Sequence, residues 1–164
     1  MDVEIRRPLP GDGLGLAEVW LDMARYHAEF DPLFFRVPGR DGLADALETW
    51  ATGVGDEALV LIAERDGRVV GFVGAAVARP DADAATQLVR ELTQVRLVVH
   101  ALGVLRSDWR RGIGSRLLAA AEDWGRAKGA TVALLDTYVG SPVSVPFYLH
   151  RGYHRRALRL RKEL

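Results

Sequence analysis

Apolar residues recur along this chain with two periods, and the changes of period mark out its elements. Val3-Glu4-Ile5-Arg6 alternates and predicts a first strand, broken by Pro8 and Pro10. Leu14–Phe30 predicts a helix with Leu16, Val19, Trp20, Met23 and His27 near one face, ended by Asp31-Pro32. Asp41 is placed to cap a second helix through Trp50, before Gly53 and Gly55. Leu59–Glu64 and Arg68–Ala78 predict two strands joined by Asp66-Gly67, a two-residue hairpin turn. A polar loop, Pro80–Thr86, leads to a long strand over Leu92–Leu105. That strand is apolar at both parities, as expected of a central strand covered on both faces.

The next helix carries Ile113, Leu117, Ala120, Ala121 and Trp124 inward and stops at Gly129. A strand follows over Thr131–Val139. Ser141-Pro142 reads as a cap and first-turn proline opening a short helix to His150, ended by Gly152. Tyr153–Lys162 predicts a closing strand. The order is β-α-α-β-β-β-α-β-α-β, with no repeat or linker, which predicts one α/β domain over residues 1–164.

The handover from the long strand to the third helix reads Arg110-Arg111-Gly112-Ile113-Gly114-Ser115-Arg116. Glycines let a backbone approach a ligand closely, and the first N–H groups of a helix have no internal partners. With the helix dipole they make a phosphate site from backbone alone. This points to a pyrophosphate-bearing cofactor. The alternative is a tight strand–helix turn without a ligand.

Composition removes other classes. The 22 basic and 22 acidic side chains balance, leaving no electrostatic footprint for nucleic acid or an anionic membrane. The absence of cysteine excludes disulfides, a thiolate nucleophile and a cysteine zinc site. No pair among the 4 histidines has metal-ligand spacing. No Gly-x-x-x-x-Gly-Lys-Ser/Thr loop occurs. Met1-Asp2-Val3-Glu4 begins structure without a signal-peptide pattern, and no apolar run reaches the roughly 20 residues of a membrane span. A cytoplasmic protein without nucleic-acid or membrane partners is the expectation.

Three pieces in this order resemble the Gcn5-related N-acetyltransferase (GNAT) superfamily. They are Leu102-Gly103-Val104, the loop Arg110-Arg111-Gly112-Ile113-Gly114, and Phe147-Tyr148-Leu149-His150-Arg151-Gly152-Tyr153. The resemblance implies a mixed, mostly antiparallel central sheet with helices on both faces and acetyl-CoA as the donor. Leu102, Gly103 and Val104 would then meet the pantetheine arm where the fourth strand splays from the fifth. Arg110, Arg111, Gly112, Ile113, Gly114 and Ser115 would meet the pyrophosphate, with Ser141 and Tyr148 as further cofactor contacts. One departure is Trp109, where the family loop usually opens with Arg or Gln.

Acetyl transfer to an amine requires loss of an ammonium proton, a donor for the carbonyl oxygen, and a proton for the leaving thiolate. The resemblance nominates Tyr148 for the last task; the alternative is an aromatic core residue. The family often uses a glutamate on the fourth strand. Here no acid lies between Glu91 and Asp108, and His100 stands on that strand, read on the same face as Val98, Leu102 and Val104. His100 suits a general base, or else a packed imidazole bonded to backbone. The segment His100-Ala101-Leu102-Gly103-Val104 also looks like the arylalkylamine N-acetyltransferase branch, which usually carries a second histidine where this chain has Val98. Asp136 and Tyr138 are weaker candidates.

On the acceptor side, Tyr26, His27, Phe30, Phe34 and Phe35 gather around Asp31-Pro32, with Trp20 nearby. Such walls, with Tyr138, suit a small-molecule amine with an apolar or aromatic body, and Asp31 or Glu29 its ammonium. They could equally pack the helix or line a homodimer contact. Gly11-Asp12-Gly13-Leu14-Gly15 reads as the start of a helix. Arg155, Arg156, Arg159, Arg161 and Lys162 read as a solvated strand face. The expected activity is N-acetylation of a small primary amine. Peptide or protein acceptors, or a non-catalytic acyl-CoA-binding module, are the alternatives.

Overall fold

Hydrophobic alternation and turn chemistry are realised as one five-stranded sheet in the computed structural model, which describes residues 3–158 and 160–162. The strands are β1 (Glu4–Arg6), β2 (Ala58–Arg65), β3 (Arg68–Ala78), β4 (Arg96–Val104) and β5 (Val132–Leu135). They lie side by side in sequence order, antiparallel from β1 to β4, with β5 parallel to β4. The helices are α1 (Gly13–Phe30), α2 (Leu43–Thr52), α3 (Ile113–Ala127) and α4 (Ser144–His150). A parallel neighbour needs a crossover, and α3 supplies it between β4 and β5.

Two cores flank the sheet. On one face Leu16, Val19, Leu47 and Ala51 of α1 and α2 meet Val60, Ile62 and Phe72. On the other Ile113, Leu117, Leu118 and Ala121 of α3 meet Val73, Leu97 and Val99, with Phe147 and Tyr148 of α4 packed against them. β4 is therefore covered on both faces, as its double apolar parity predicts. The β2–β3 hairpin turns at Asp66 and Gly67, both at positive φ (53° and 73°), the backbone that a type I′ turn requires. Residues 11–15 start α1: Glu48 accepts from the N–H groups of Gly11 and Gly13 at 2.8 and 3.0 Å.

Several boundaries differ from the pattern. Leu92 belongs to a 3₁₀ turn, Arg90–Thr93, and β4 begins only at Arg96. β5 ends at Leu135, short of Val139. α2 begins after Gly42 at φ 70°, and no side chain of Asp41 caps it. The expected closing strand is absent: residues 153–158 and 160–162 join no ladder. Leu158 and Leu160 are 68% and 83% exposed, so alternation there buries nothing and specifies no register. Arg159 of the basic tail lies outside the described residues.

One irregularity shapes the site. Gly74 pairs with Ala101 but Ala75 with Val99, so His100 is the extra residue of a β-bulge. Leu97 and Val99 face α3 before it; after it Leu102 and Val104 face α3, while Ala101 and Gly103 face α1. The bulge advances the parity by one. The expectation that Val98 shares a face with Leu102 and Val104 is thereby corrected: Val98 looks towards α1.

Candidate active site

The β4–β5 ladder ends at Val99–Leu135, while β4 continues to Val104. A fork opens between the two strands beyond that point. The N–H of Leu105 donates to Val70 of β3 at 2.9 Å. Backbone direction alternates along a strand, so the polar groups of Leu102 and Val104 point away from β3, into the fork. Gly103 faces α1, where a side chain would meet Phe72, Val19 and Met23 at 3.0, 3.2 and 3.5 Å. Of the three residues expected at a pantetheine arm, Leu102 and Val104 thus turn backbone groups to the fork, while Gly103 pairs with Phe72 of β3.

Past Val104 the chain makes a 3₁₀ turn, Arg106–Asp108, and enters α3 through Gly112. Arg110 and Gly112 both have positive φ, 61° and 77°. Alternation of left- and right-handed residues turns successive N–H groups to one side, a nest for an anion. The first bond of α3 runs from Arg116 N to Gly112 O at 3.0 Å, which leaves the N–H groups of Ile113, Gly114 and Ser115 outside the helical ladder. Arg110 and Arg111 are exposed beside them. At Gly114 a Cβ would stand 3.6 Å from Phe147 and 3.7 Å from Val104, so α3, α4 and the tip of β4 converge there.

Asp108 anchors this loop, and the sequence reading passed over it. It is 2% exposed. Its Oδ1 pairs with Arg65 at the end of β2 and lies 3.8 Å from Nε of Arg111; its Oδ2 accepts from Ser107 Oγ at 2.9 Å. An acid followed by two arginines in a loop was the available signal. Trp109 serves as a strut: its Nε1 donates to Val104 O at 2.8 Å, and its ring stands edge-on to Tyr26 at 5.0 Å. It closes the carbonyl of Val104 and leaves the strand N–H groups to the fork.

Tyr148 lies on α4 between Phe147 and Tyr153, at ring distances of 5.1 and 5.8 Å. Burial pushes its phenol up to about 12, so it holds its proton at neutral pH and can only give one there. Tyr153 is raised as well, by burial and by the adjoining Glu122, to which it donates at 3.0 Å. Ser141, expected to touch cofactor, is buried, and its Oγ accepts from Ser144 N at 3.0 Å. It caps the turn that begins α4. His100 is exposed at the bulge.

The aromatic residues expected on the acceptor side gather in one cluster. Phe30 and Phe34 stack on Tyr138 at 5.3 and 5.8 Å; Phe35 meets it edge-on at 5.2 Å; Tyr26 meets Phe30 at 5.3 Å. Asp31 accepts from the Tyr138 hydroxyl and from Phe34 N at 3.1 Å, tying the end of α1 to the segment after β5. That hydrogen bond raises the Tyr138 phenol. Glu29 is bound by Arg106 at 2.7 Å, with Asp22 on the same guanidinium, so neither acid is a bare site for an ammonium. Trp20 stacks on Phe72 at 6.0 Å and belongs to the core. A recess of about 540 Å³ lies between α1, α2 and the turn after β4, lined by Glu18, Arg25, Arg40 and Arg106 among others.

The profile of the acetyltransferase (GNAT) family matches residues 20–153. No curated sequence matches the chain. Among solved structures it is similar to the tetramutant of the BH1408 protein from Bacillus halodurans, with 16% identity and a TM-score of 0.82 over 98% of this chain and 99% of that one. A transcriptional regulator from Bacillus halodurans aligns at 16% identity and a TM-score of 0.75, over 99% and 100% of the two chains. The aminoglycoside acetyltransferase AAC(6')-Iy, solved with a CoA bisubstrate analogue, aligns at 19% identity and a TM-score of 0.67 over 100% of both. At such identities the structural likeness shows the fold. No helix among the described residues is long and apolar enough to cross a membrane.

Proposed function

Because this chain belongs to the acetyltransferase (GNAT) family, we propose that it transfers the acetyl group of acetyl-CoA to the primary amine of a small molecule. The observation that carries the reading is the fork. β4 runs on past its last pairing with β5, and its free edge leads straight to the Arg110–Gly112 nest and the open N-terminus of α3. A pantetheine amide would bond the Leu102 and Val104 backbone, and the pyrophosphate would lie on the N–H groups of residues 112–115 beside Arg110 and Arg111. AAC(6')-Iy, solved with its CoA analogue, has the same fold and supports this donor.

The chemistry follows from the groups around the fork. The amine nitrogen attacks the thioester carbonyl, a C–N bond forms and the C–S bond breaks. Tyr148, neutral and half-buried on α4, would give its proton to the departing sulfur. A backbone N–H of the β4 edge would bond the carbonyl oxygen as charge develops there. His27 touches the aromatic rings at the end of α1, and His100 stands at the bulge of β4. The cluster of Tyr26, Phe30, Phe34, Phe35 and Tyr138 suits an acceptor with an apolar or aromatic body.

The test is thiol release from acetyl-CoA with arylalkylamines, polyamines, aminoglycosides, amino acids and short peptides. Turnover confined to small amines supports the reading. Turnover of peptides alone moves the acceptor to a protein. Tight acetyl-CoA binding by calorimetry with no turnover on any amine favours a sensing module.

A further inference from the structure

We propose that His27 takes the proton from the acceptor ammonium, an inference that rests on the acetyltransferase reading above. The hydrogen bond of its ring decides its chemistry. Nδ1 lies 2.7 Å from the carbonyl oxygen of Met23. A carbonyl only accepts, so the hydrogen of the neutral ring is on Nδ1 and the lone pair is on Nε2. The ring is thus presented as a base, with its other nitrogen fixed to the helix that carries it.

Its position agrees. Met23 and His27 are one turn apart and share a face of α1. Met23 reaches β4 at Gly103, beyond the last residue that pairs with β5. The next aromatic on that helix, Tyr26, touches Trp109, which is bonded to Val104 on the fork edge. The imidazole is held by Phe35 at 4.7 Å, Tyr26 at 5.5 Å and Phe30 at 5.6 Å. It therefore stands among the rings that would grip the amine body. The ionisable groups facing this cluster are Tyr26 on its own helix, Asp31 in the following loop and Tyr138 after β5. Asp31 and Tyr138 are bonded to each other.

His100 lacks this preparation. It is the bulged residue of β4, exposed, and no hydrogen bond among the described residues sets its ring. A general base acts through position before basicity.

The step balances. Nε2 takes one ammonium proton, and the freed lone pair attacks the thioester carbon. The C–N bond forms, the C–S bond breaks, and the sulfur takes the Tyr148 proton. The imidazolium keeps its Nδ1 bond to the Met23 carbonyl and releases its proton to water. As the tetrahedral intermediate collapses to the amide, the nitrogen loses its second proton, which through water restores the Tyr148 phenol, so one proton is released in all.

The experiment is the pH dependence of kcat/KM for acetyl transfer to 2-phenylethylamine, or to whichever amine of the panel turns over, in wild type, His27→Gln and His100→Gln. Gln at 27 keeps a polar amide of similar reach but cannot take a proton. We expect His27→Gln to lose about 10²- to 10⁴-fold at neutral pH. It should regain activity only as the amine itself deprotonates, while acetyl-CoA binding by calorimetry is kept. An acidic limb that persists in His27→Gln and vanishes in His100→Gln overturns the proposal and leaves the acetyltransferase reading standing. A wild-type protein silent on every amine overturns both. Loss of acetyl-CoA binding together with activity in His27→Gln marks a structural role and also overturns it.

Discussion

Asp108→Asn isolates the contact that holds the loop before α3. The carboxylate is 2% exposed, pairs with Arg65 through Oδ1, and has Arg111 3.8 Å from the same oxygen. Asn keeps the shape and one acceptor for the Ser107 hydroxyl, but cancels the charge and leaves Arg65 facing a neutral amide. Removing one partner of a buried pair costs about 3–5 kcal/mol. The Arg65 side chain is 23% exposed, so water recovers part of its hydration and a loss of about 2–3 kcal/mol is expected. For a chain of this size each kcal/mol moves the melting temperature by about 2–4 °C, so the transition should fall by roughly 4–12 °C. Thermal and urea unfolding followed by circular dichroism measure it. Arg65→Met should cost a similar amount, because it strands the buried carboxylate. The double variant should cost less than the two singles together, by about 0.5–3 kcal/mol. Additive effects, or an Asn variant within about 0.5 kcal/mol of wild type, would refute the role given to this pair.

Tyr148→Phe should lower kcat well beyond any change in KM, as expected of a group acting in the transition state; steady-state kinetics at saturating acetyl-CoA decides it. The same residue gives a pH prediction. Its folded pKa is raised by burial from 10 to about 12, so its contribution to stability is full below pH 10 and is lost as pH climbs to about 12. Urea melts at pH 9 and 12 should therefore show a smaller alkaline loss in Tyr148→Phe than in wild type. Gly112→Asp should abolish acetyl-CoA binding by calorimetry, because it strains a residue at φ 77° and sets a carboxylate in the anion nest. Arg110→Gly should weaken acetyl-CoA binding yet leave the fold as stable or up to about 1 kcal/mol more so. Relief of a left-handed arginine offsets the added freedom of the unfolded chain, and thermal melts read the balance.

Local chemistry was legible in the sequence. The 3.6-residue stripe of α1, the Asp66-Gly67 turn, the doubly apolar β4 and the glycines opening α3 each rest on residues within a few positions of one another. The left-handed turn at Arg110 and Gly112 rests on the same footing, since backbone handedness and helix polarity belong to the loop itself. The aromatic cluster was visible in sequence, because most of its rings flank Asp31-Pro32.

Partners distant in sequence were decided only by the tertiary structure. His100 bulges because β3 pairs Gly74 and Ala75 with Ala101 and Val99, and no pattern within β4 records that skipped position. Asp108 becomes an anchor only when β2 brings Arg65 to it. Tyr138 joins Phe30, Phe34 and Asp31 only after α3 carries β5 back beside β4. The tail over residues 153–162 alternates like a strand, but ladder bonds come from a neighbour, and β5 is only four residues long. Periodicity says which faces of an element can be buried. Which neighbour buries them, and in what register, is set by long-range packing that a local pattern does not contain.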